Sequence, residues 1–362
     1  MSIRLALIIV LSTIALRAQS SYPHNAASCE QCHSVPAKFG SSRITVQRKG
    51  AFAYGKFVPA AEGGIRHRVG ETQTPLKEGN DPIASDRVAL NLLGDGYIEA
   101  IDSNDIRRNL DKQGQENTAI RGSLVPAPVL ESRAAKTTHA GRFGWKSQHS
   151  SLLSACADSM RNELGIRNRL YAEEYATHDP KDGPTPFDKP DPKTGKTELE
   201  RLVEEIRHTE PPARDEQLAG STDAQEGEKI FAQIGCALCH VSTYRTLPEG
   251  TVINGGTYRV PAHLGHKVIH PYSDFLLHDV GTGDGIPQAA KPEYLDQSTA
   301  NQFRTAPLWG LRFRSWMMHD GKSITYHQAI VRHGGEAAGV RERYEELTPV
   351  EKQQLRAFLN SL

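Results

Sequence analysis

The stretch "CALCH", residues 236–240, decides the fold, because two cysteines two residues apart and followed directly by a histidine have few uses in proteins. An earlier copy, "CEQCH", occupies residues 29–33, so in chain order residues 29–33 are the first motif and residues 236–240 the second motif. In the attachment motif of c-type haem, both thiols bond covalently to the porphyrin and the histidine binds the iron. The two motifs therefore predict two covalently bound haems. The expected attachment residues are Cys29, Cys32, Cys236 and Cys239, and the expected proximal iron ligands are His33 and His240.

Other uses of paired cysteines fit the sequence less well. A structural zinc site needs four ligands, commonly two close pairs within one small unit, whereas these two pairs lie far apart in the chain. A thioredoxin-like motif needs a strand and a helix around it, and neither flank shows that context. A disulfide framework gives no reason for a histidine after each pair. The fifth cysteine, Cys156, lies in a helix-like stretch, where we expect a small buried side chain rather than a reactive thiol.

Length and charge limit the classes of protein that the chain can represent. The 362 residues suffice for two domains, each with a core of its own. Lys and Arg number 43, as do Asp and Glu, so the formal net charge is zero. A balanced chain creates no positive field that attracts nucleic acid. We therefore expect no nucleic-acid partner.

The N-terminus has the pattern of a secretory signal. Arg4 precedes an apolar run over residues 5–16, and small residues follow around Ala18. Such a run is too short to span a bilayer, so we expect a signal peptide over residues 1–20 and no integral membrane span. A buried N-terminal helix and a retained membrane anchor are the alternatives. The signal peptide predicts a periplasmic or secreted protein.

A change of composition divides the chain. Residues 177–217 are rich in Pro, Asp and Lys, which indicates a solvated linker that contains one short amphipathic helix over residues 198–207. The linker separates an N-terminal domain, residues 21–176, from a C-terminal domain, residues 218–362. Each predicted domain carries one motif near its start.

Helical patterns frame the second motif. Ile230, Phe231 and Ile234 lie at helical spacing just before it. At the C-terminus, Thr348 and Glu351 predict a capping box that begins a last helix. Because two crossing helices frame a cytochrome c domain and no useful alternating strand pattern is visible, we predict a mainly α fold. It consists of two cytochrome c-like domains with long loops. The apolar face of the last helix comprises Leu355, Phe358, Leu359 and Leu362.

Several segments carry a wider pattern: "CEQCHSVPAKFGSS", "LLGDGYIEAIDSNDI", "GRFGWKSQHSSLLSACADSMRNELGI", "HPYSDFLLHDVG", "RTAPLWGLRFRSWMMHDGKSITYHQAIVRHGGEA" and the closing helix. They resemble the di-haem oxidoreductase family, whose members are often labelled thiol oxidoreductases, within the superfamily of bacterial di-haem cytochrome c peroxidases and MauG-like enzymes. The order Arg-Thr-x-Pro-Leu, an aromatic stretch, His-Asp-Gly and a helix is the most specific part. Nothing in the residues indicates a thiol substrate.

The resemblance implies a sixth ligand for the second iron. In the peroxidases a methionine after the helix that follows His-Asp-Gly takes this position, and here the position holds His333. His333 opposite His240 would give a closed electron-transfer centre. Alternatively, His333 only ends a helix. Met317, Met318 and His319 are rival ligands, and otherwise the two methionines are core residues and His319 lies in a turn.

The resemblance also implies catalytic residues in the N-terminal half. Trp145 takes the place of an aromatic residue between the haems, and Glu163 takes that of an acid above the first iron, where it can move a proton during peroxide cleavage. The alternatives are a core tryptophan and an exposed helix glutamate. Ala155 replaces a glutamine common in relatives. His149 is a further candidate ligand of the first iron, or a surface or pocket histidine.

Arginines in the matching segments can pair with haem propionates or form ordinary surface ion pairs. These arginines are Arg142, Arg304 and Arg312. The segment "HPYSDFLLHDVG" is expected to pack near the second haem, with structural roles for Asp274, His278 and Asp279.

These expectations combine into an exported di-haem enzyme with an open N-terminal haem and a closed C-terminal relay. Its expected reaction is peroxide-dependent one-electron oxidation of a small redox protein or of a protein side chain, with hydrogen peroxide as the oxidant. The alternatives are a pure electron-transfer cytochrome with both irons six-coordinate and a di-haem oxygenase acting on an organic substrate. A calcium ion between the domains is a further possibility.

Overall fold

The structure is a computed structural model that describes residues 25–42, 44–53, 56–59, 81–116, 119–132, 137–171 and 188–362. The predicted signal peptide, residues 1–20, lies outside these ranges, as does much of the predicted linker before residue 188. Among the helices within these ranges, none is both long and apolar enough to cross a bilayer.

Nine α-helices form within the described ranges. They are α1 Asp95–Glu99, α2 Ser103–Glu116, α3 Leu152–Leu164, α4 Glu198–Arg207, α5 Glu216–Ala219, α6 Thr222–Gln233, α7 Tyr326–Val331, α8 Ala338–Glu346 and α9 Pro349–Ser361.

Strands form between the helices and pair antiparallel. They are β1 Thr45–Ala53, β2 Lys56–Pro59, β3 Asp81–Val88, β4 Pro126–Pro128, β5 Thr138–Ala140, β6 Tyr244–Arg245, β7 Val252–Ile253, β8 Tyr258–Arg259, β9 Val268–Ile269, β10 Leu277–His278 and β11 Phe303–Arg304. The first three form one sheet in the order β2-β1-β3, with Gly50 opposite Pro59 and Ile83. The others pair in twos as β4-β5, β6-β9, β7-β8 and β10-β11.

The prediction of a mainly α fold is wrong. Helices account for 37% of the structure and strands for 16%, distributed over many small sheets. Strand β1 is half-buried along most of its length and carries Gln47, Arg48 and Lys49, so its side chains do not alternate clearly between polar and apolar. Its hydrogen bonds go to β3, a distant segment, and a single sequence does not reveal such a partner. Strands of two residues are too short to show any period.

The two helices that frame the second motif cross as predicted. The ring centroids of Phe231 in α6 and Phe358 in α9 lie 5.2 Å apart. A Cβ atom at Gly227 would lie 2.0 Å from the carbonyl oxygen of Gln354, so the crossing needs a glycine at this position. The capping box of α9 is confirmed, because the Thr348 side chain accepts from the Glu351 N–H and the Glu351 carboxylate accepts from the Thr348 N–H.

The short helix of the predicted linker is also confirmed. Helix α4 spans Glu198–Arg207 behind a capping box of Thr197 and Glu200. Its buried face packs into a core that also takes side chains from both predicted domains, such as Phe39, Leu152 and Phe275. The domain boundaries stay a prediction. The buried residues of α4 are Leu199, Leu202, Val203 and Ile206.

Candidate functional site

The second motif forms a tight turn at the end of α6. Gly235 has a φ of 97°, a conformation that favours glycine, and lets the chain turn directly out of the helix. One turn of 3-10 helix follows over residues 236–238, and the His240 N–H donates to the Cys236 carbonyl over 2.9 Å. This turn brings Cys236, Cys239 and His240 to the wall of one cavity.

Most of that cavity is apolar. The cavity has a volume of about 220 Å³. Its wall comes from α6, α7, α8 and α9 and from the segments around residues 88–91 and 303–319. Apolar lining residues include Phe231, Leu308, Leu311, Ala329, Val340, Leu355 and Leu359.

His240 and His333 line this cavity together. Nδ1 of His240 lies 3.0 Å from the Tyr272 carbonyl oxygen, and Nδ1 of His333 lies 2.8 Å from that of Ala329. A carbonyl only accepts, so Nδ1 carries the proton in each ring and Nε2 keeps its lone pair. Burial lowers the pKa of His240 to about 4 and also lowers the pKa of His333. Both rings are therefore neutral at pH 7, in the form that binds metal.

The segment that carries His333 ends α7. The His333 N–H donates to the Ile330 carbonyl over 3.0 Å, so its backbone closes the helix while its ring reaches the cavity. Its role as the sixth ligand stays a prediction.

The rival ligands lie on the same wall. Met317 is 8% exposed and packs in the core around α6 and α9, and Met318 packs against that core. His319 lies in a turn, where its Nε2 is 2.7 Å from the Thr282 carbonyl oxygen and its ring stacks on Phe303 at 3.6 Å. His319 Nδ1 has no partner among the described residues.

The first motif repeats the local geometry of the second. Residues 29–31 form a 3-10 turn, and the His33 N–H donates to the Cys29 carbonyl over 2.9 Å. Nδ1 of His33 lies 3.2 Å from the Gly40 carbonyl oxygen, and burial lowers the pKa of His33. Burial raises the pKa of Cys29 to about 11, so its thiol is protonated. Cys156 is buried in the adjoining core, as predicted.

Trp145 lines the cavity that also contains Cys236, Cys239 and His240, and its predicted place between the haems stays a prediction. Its indole N–H donates to the Val88 carbonyl over 2.7 Å, which fixes the ring. Gly40 and the backbone of Leu90 lie beside the His33 ring, and Leu90 also lines the cavity that contains Cys239 and His240. The Trp145 ring meets Phe303 and His319 edge-on, at centroid distances of 6.1 and 6.3 Å.

Glu163 lies at the end of α3, beside the chain that leads into the first motif. Its carboxylate accepts from the Asn25 side chain over 2.7 Å and lies 3.9 Å from the Arg48 guanidinium. Its backbone carbonyl accepts from the N–H groups of Asn25 and Ala26. Glu163 is not among the residues of the cavity wall around His240. Its predicted position above the first iron stays a prediction.

His149 is not placed to bind iron. It is 2% exposed, with Nδ1 2.8 Å from the Ser154 hydroxyl and Nε2 3.2 Å from an Asp158 carboxylate oxygen. Because both ring nitrogens have a partner, neither lone pair is free for a metal. It is a buried structural histidine, which differs from both alternatives considered for it.

Arg304 and Arg314 line the cavity together with Arg341, and the sequence pointed only to Arg304. Arg304 donates from Nε to the Gly144 carbonyl over 2.8 Å, while its Nη1 is buried without a partner among the described residues. Arg314 donates to the Pro307 carbonyl over 2.7 Å. Burial lowers the pKa of each to about 10, and both stay charged at pH 7. The only signal for Arg314 was its position two residues after Arg312.

The other two predicted propionate anchors are engaged elsewhere. The Arg142 guanidinium donates to backbone carbonyls of Ile98, Ile101 and Ala140, which ties α1 to β5. The Arg312 guanidinium lies within hydrogen-bonding distance of the Leu362 carbonyl at the C-terminus. Arginines that bind carbonyls and arginines that bind a ligand look alike in a sequence, so only the tertiary contacts separate them.

Cys239, Asp274 and His278 lie close enough together to hold a metal ion. However, Nε2 of His278 is 2.8 Å from Asp274 and its Nδ1 is 2.8 Å from Glu336. Since both ring nitrogens donate to carboxylates, His278 has no lone pair to offer, and the group is a hydrogen-bonded charge network. The structural role predicted for Asp274 and His278 fits this arrangement. A calcium ion between the domains stays a prediction.

The residues of the cavity fit a haem. Its wall offers apolar surface for a porphyrin, two thiols, the neutral imidazoles of His240, His319 and His333, and three guanidinium groups, among which Arg304 has an unpaired buried Nη1. An unpaired buried donor costs free energy unless a partner satisfies it, and a carboxylate of the cofactor is a suitable partner.

A family described as "Di-haem oxidoreductase, putative peroxidase" matches residues 69–362, so the match begins after the first motif. No curated protein matches the chain. Among solved structures, hydrazine synthase of Kuenenia stuttgartiensis is similar at 16% identity over 96% of this chain and 85% of that chain, with a TM-score of 0.44. A MauG-like protein associated with microbial copper homeostasis is similar at 19% identity over 45% of this chain and 52% of that chain, with a TM-score of 0.29. Scores this low support no argument about mechanism.

Proposed function

The chain belongs to the di-haem oxidoreductase family, and from that premise we propose that it is an exported c-type enzyme for peroxide-dependent one-electron oxidation. One observation carries the proposal: two neutral imidazoles, His240 and His333, line one apolar cavity beside the thiols of Cys236 and Cys239. When bound, haem supplies the one-electron chemistry and the site at which peroxide is reduced. The residues of the chain bind it, set its ligands and move protons.

Each motif attaches one haem through its two cysteines. His33 and His240 are the proximal ligands, each with its Nδ1 beside a backbone carbonyl that orients the ring. His333 would be the second imidazole that holds the C-terminal haem, which would then supply electron transfer. The N-terminal haem would supply the reaction with peroxide.

Trp145 relays electrons between the two centres. Trp145 lines the cavity that contains the second motif, and its hydrogen bond to the Val88 carbonyl fixes the orientation of its ring. Phe303 and His319 pack edge-on against it and keep the space around the ring apolar and aromatic.

Glu163 is the proposed proton-transfer group at the open iron. A carboxylate beside peroxide can take a proton from one oxygen and give it to the departing one. The Asn25 amide, which donates to this carboxylate, ties it to the chain that enters the first motif. The electron donor is a small redox protein, or the substrate is a protein side chain, and the family alone does not separate these two.

The haem-loaded protein tests this proposal. Mass spectrometry should find two covalently attached haems, absorption spectra should show one high-spin and one low-spin centre, and peroxide should oxidise the reduced protein. Two low-spin centres in both oxidation states, together with no reaction with peroxide, would refute the peroxidase proposal.

One observation favours a second candidate, a pure electron-transfer cytochrome. The Glu163 carboxylate already has the Asn25 amide as a partner, and Ala155 stands where relatives commonly have a polar glutamine. A chain of this kind would have both irons closed and would bind neither peroxide nor carbon monoxide. The spectra described above separate the two candidates.

A further inference from the structure

His278 is buried between two carboxylates at the wall of the cavity. It is 2% exposed, with Nε2 2.8 Å from Asp274 Oδ2 and Nδ1 2.8 Å from Glu336 Oε2. Both ring nitrogens therefore donate, and His278 is an imidazolium. Burial alone would lower the pKa of His278, but the Asp274 charge and the hydrogen bonds to Asp274, Cys239 and Glu336 raise it far above its ordinary value of 6.5.

The Asp274 end of this network holds the second motif. The Asp274 N–H donates to the Cys239 carbonyl over 2.8 Å. The side-chain amide of Gln113 donates both to Asp274 Oδ2 and to the Leu238 carbonyl, over 2.7 and 2.9 Å. His278 Nδ1 also lies 3.9 Å from the Cys239 sulfur. This carboxylate is thus fixed to the loop that carries His240.

At the other end of the network, the contacts of Glu336 fix the loop that also carries His333, three residues earlier in the chain. The Glu336 N–H donates to the Asp279 carbonyl over 2.9 Å, and the Glu336 carboxylate accepts from the Asp279 N–H over 3.0 Å. The Gly334 N–H donates to the Val280 carbonyl over 2.8 Å. A Cβ atom at Gly335 would lie 2.3 Å from the Asp279 carbonyl oxygen, so this loop lies tightly along residues 279–281.

The cation of His278 therefore joins two anions that are tied to different loops. Asp274 is tied to the loop of the proximal ligand, and Glu336 is tied to the loop of the proposed sixth ligand. Without the cation, the buried Asp274 carboxylate and the mostly buried Glu336 carboxylate would have no positive charge between them, which is unfavourable in a medium of low dielectric constant. The unfavourable contact is relieved when the Glu336 loop moves away.

We propose that His278 is a positioning residue that clamps the loop of His333 to the loop of His240, and so keeps the second iron closed. This inference rests on the proposed function, because it assumes that His333 is the sixth ligand. The clamp acts through Asp274 and Glu336 and does not touch the iron itself. The clamp is an ion triplet in which the His278 cation lies between the carboxylates of Asp274 and Glu336.

Carbon monoxide binding to the reduced, haem-loaded full chain tests the clamp, because this ligand binds only to an iron with an open position. His278→Gln keeps a polar side chain of similar length but cannot pair two carboxylates. It should bind one further carbon monoxide per chain than the unmodified protein and show a new high-spin signal. Glu336→Gln removes one anion and leaves His278 in place, and it should open the same iron in part.

His333→Ala is the benchmark, since it removes the proposed ligand directly and should also bind one further carbon monoxide. His263→Gln is the matched control, because His263 stacks on His208 away from the cavity wall and should change nothing. Haem content by mass spectrometry and far-UV circular dichroism show that each variant is folded and loaded.

The outcomes separate the clamp from the function on which it rests. If His333→Ala opens the iron and neither His278→Gln nor Glu336→Gln does, the clamp is wrong and the closed relay stands. If His333→Ala opens nothing, His333 is not the ligand, and the closed relay and the clamp fall together. If His278→Gln loses its second haem, carbon monoxide binding to Glu336→Gln becomes the test. If Glu336→Gln then binds no further carbon monoxide, the clamp is wrong.

Discussion

His240 and His333 line the same cavity, and each ring places its Nδ1 within hydrogen-bonding distance of a backbone carbonyl, that of Tyr272 and that of Ala329. Two imidazoles in the same tautomer at one apolar site are what a haem with two histidine ligands would require from the protein. The carbonyls select the tautomer, since each can only accept a proton.

Replacement of His333 by methionine tests this pairing. A thioether ligand stabilises the reduced iron relative to imidazole, so His333→Met should raise the reduction potential of the second haem and leave that of the first unchanged. Spectroelectrochemical titration measures both potentials. Met318→Leu, at a rival ligand on the same wall, is the control and should shift neither potential. If His333→Met shifts neither potential and Met318→Leu shifts one, the ligand is Met318.

Replacement of Glu163 by glutamine tests the proton-transfer role. The amide keeps a hydrogen-bond acceptor for Asn25 but cannot move a proton, so the reaction with peroxide should slow by about 10²–10⁴-fold with both haems retained. Stopped-flow absorption gives the rate constant. Glu346→Gln, at an exposed position in α8, should leave it unchanged. An unchanged rate in Glu163→Gln would reduce this residue to a partner of Asn25 and Arg48.

Replacement of Trp145 by phenylalanine tests the relay between the motifs. The smaller ring keeps an aromatic contact with Phe303 but loses the hydrogen bond to the Val88 carbonyl, so electron transfer between the centres should slow while both potentials stay in place. Rapid-mixing spectroscopy after peroxide addition follows both centres separately. Equal rates in the two proteins would show that electrons do not pass through the indole.

Two glycines should change the stability of the protein in opposite directions when they are replaced by alanine: one lies at the crossing of α6 and α9, and the other lies inside α2. Gly227→Ala places a Cβ atom against the Gln354 carbonyl, and the resulting overpacking should lower the free energy of unfolding by about 1–3 kcal/mol. Gly114→Ala, inside α2 with nothing near its added Cβ, should raise it by about 0.5–1 kcal/mol. Urea denaturation measures both. A stabilised Gly227→Ala would mean that the helices separate more easily than their packing indicates.

Local signals in the sequence predicted local structure. Both α4 and α9 begin at capping boxes formed by residues three apart, and their apolar faces follow the helical period, so neighbouring residues contain all the necessary information. The sheet of β1, β2 and β3 had no such signal. Its strands are held by distant partners, and Arg87 in β3 is buried against Asp284, a residue of the second half, over 2.7 Å.

The same distinction applies to the site. The sequence by itself determined the predicted attachment points of haem, because two thiols and a histidine within one turn contain that chemistry in five adjacent residues. Only the tertiary structure decided what faces the second motif: it brought His333 and Arg304 to one cavity with His240, and it bound Arg142 to carbonyls elsewhere. The physical reason is that an imidazole or guanidinium has the same chemistry in any sequence, and burial, tautomer and unpaired donors depend on contacts between distant segments.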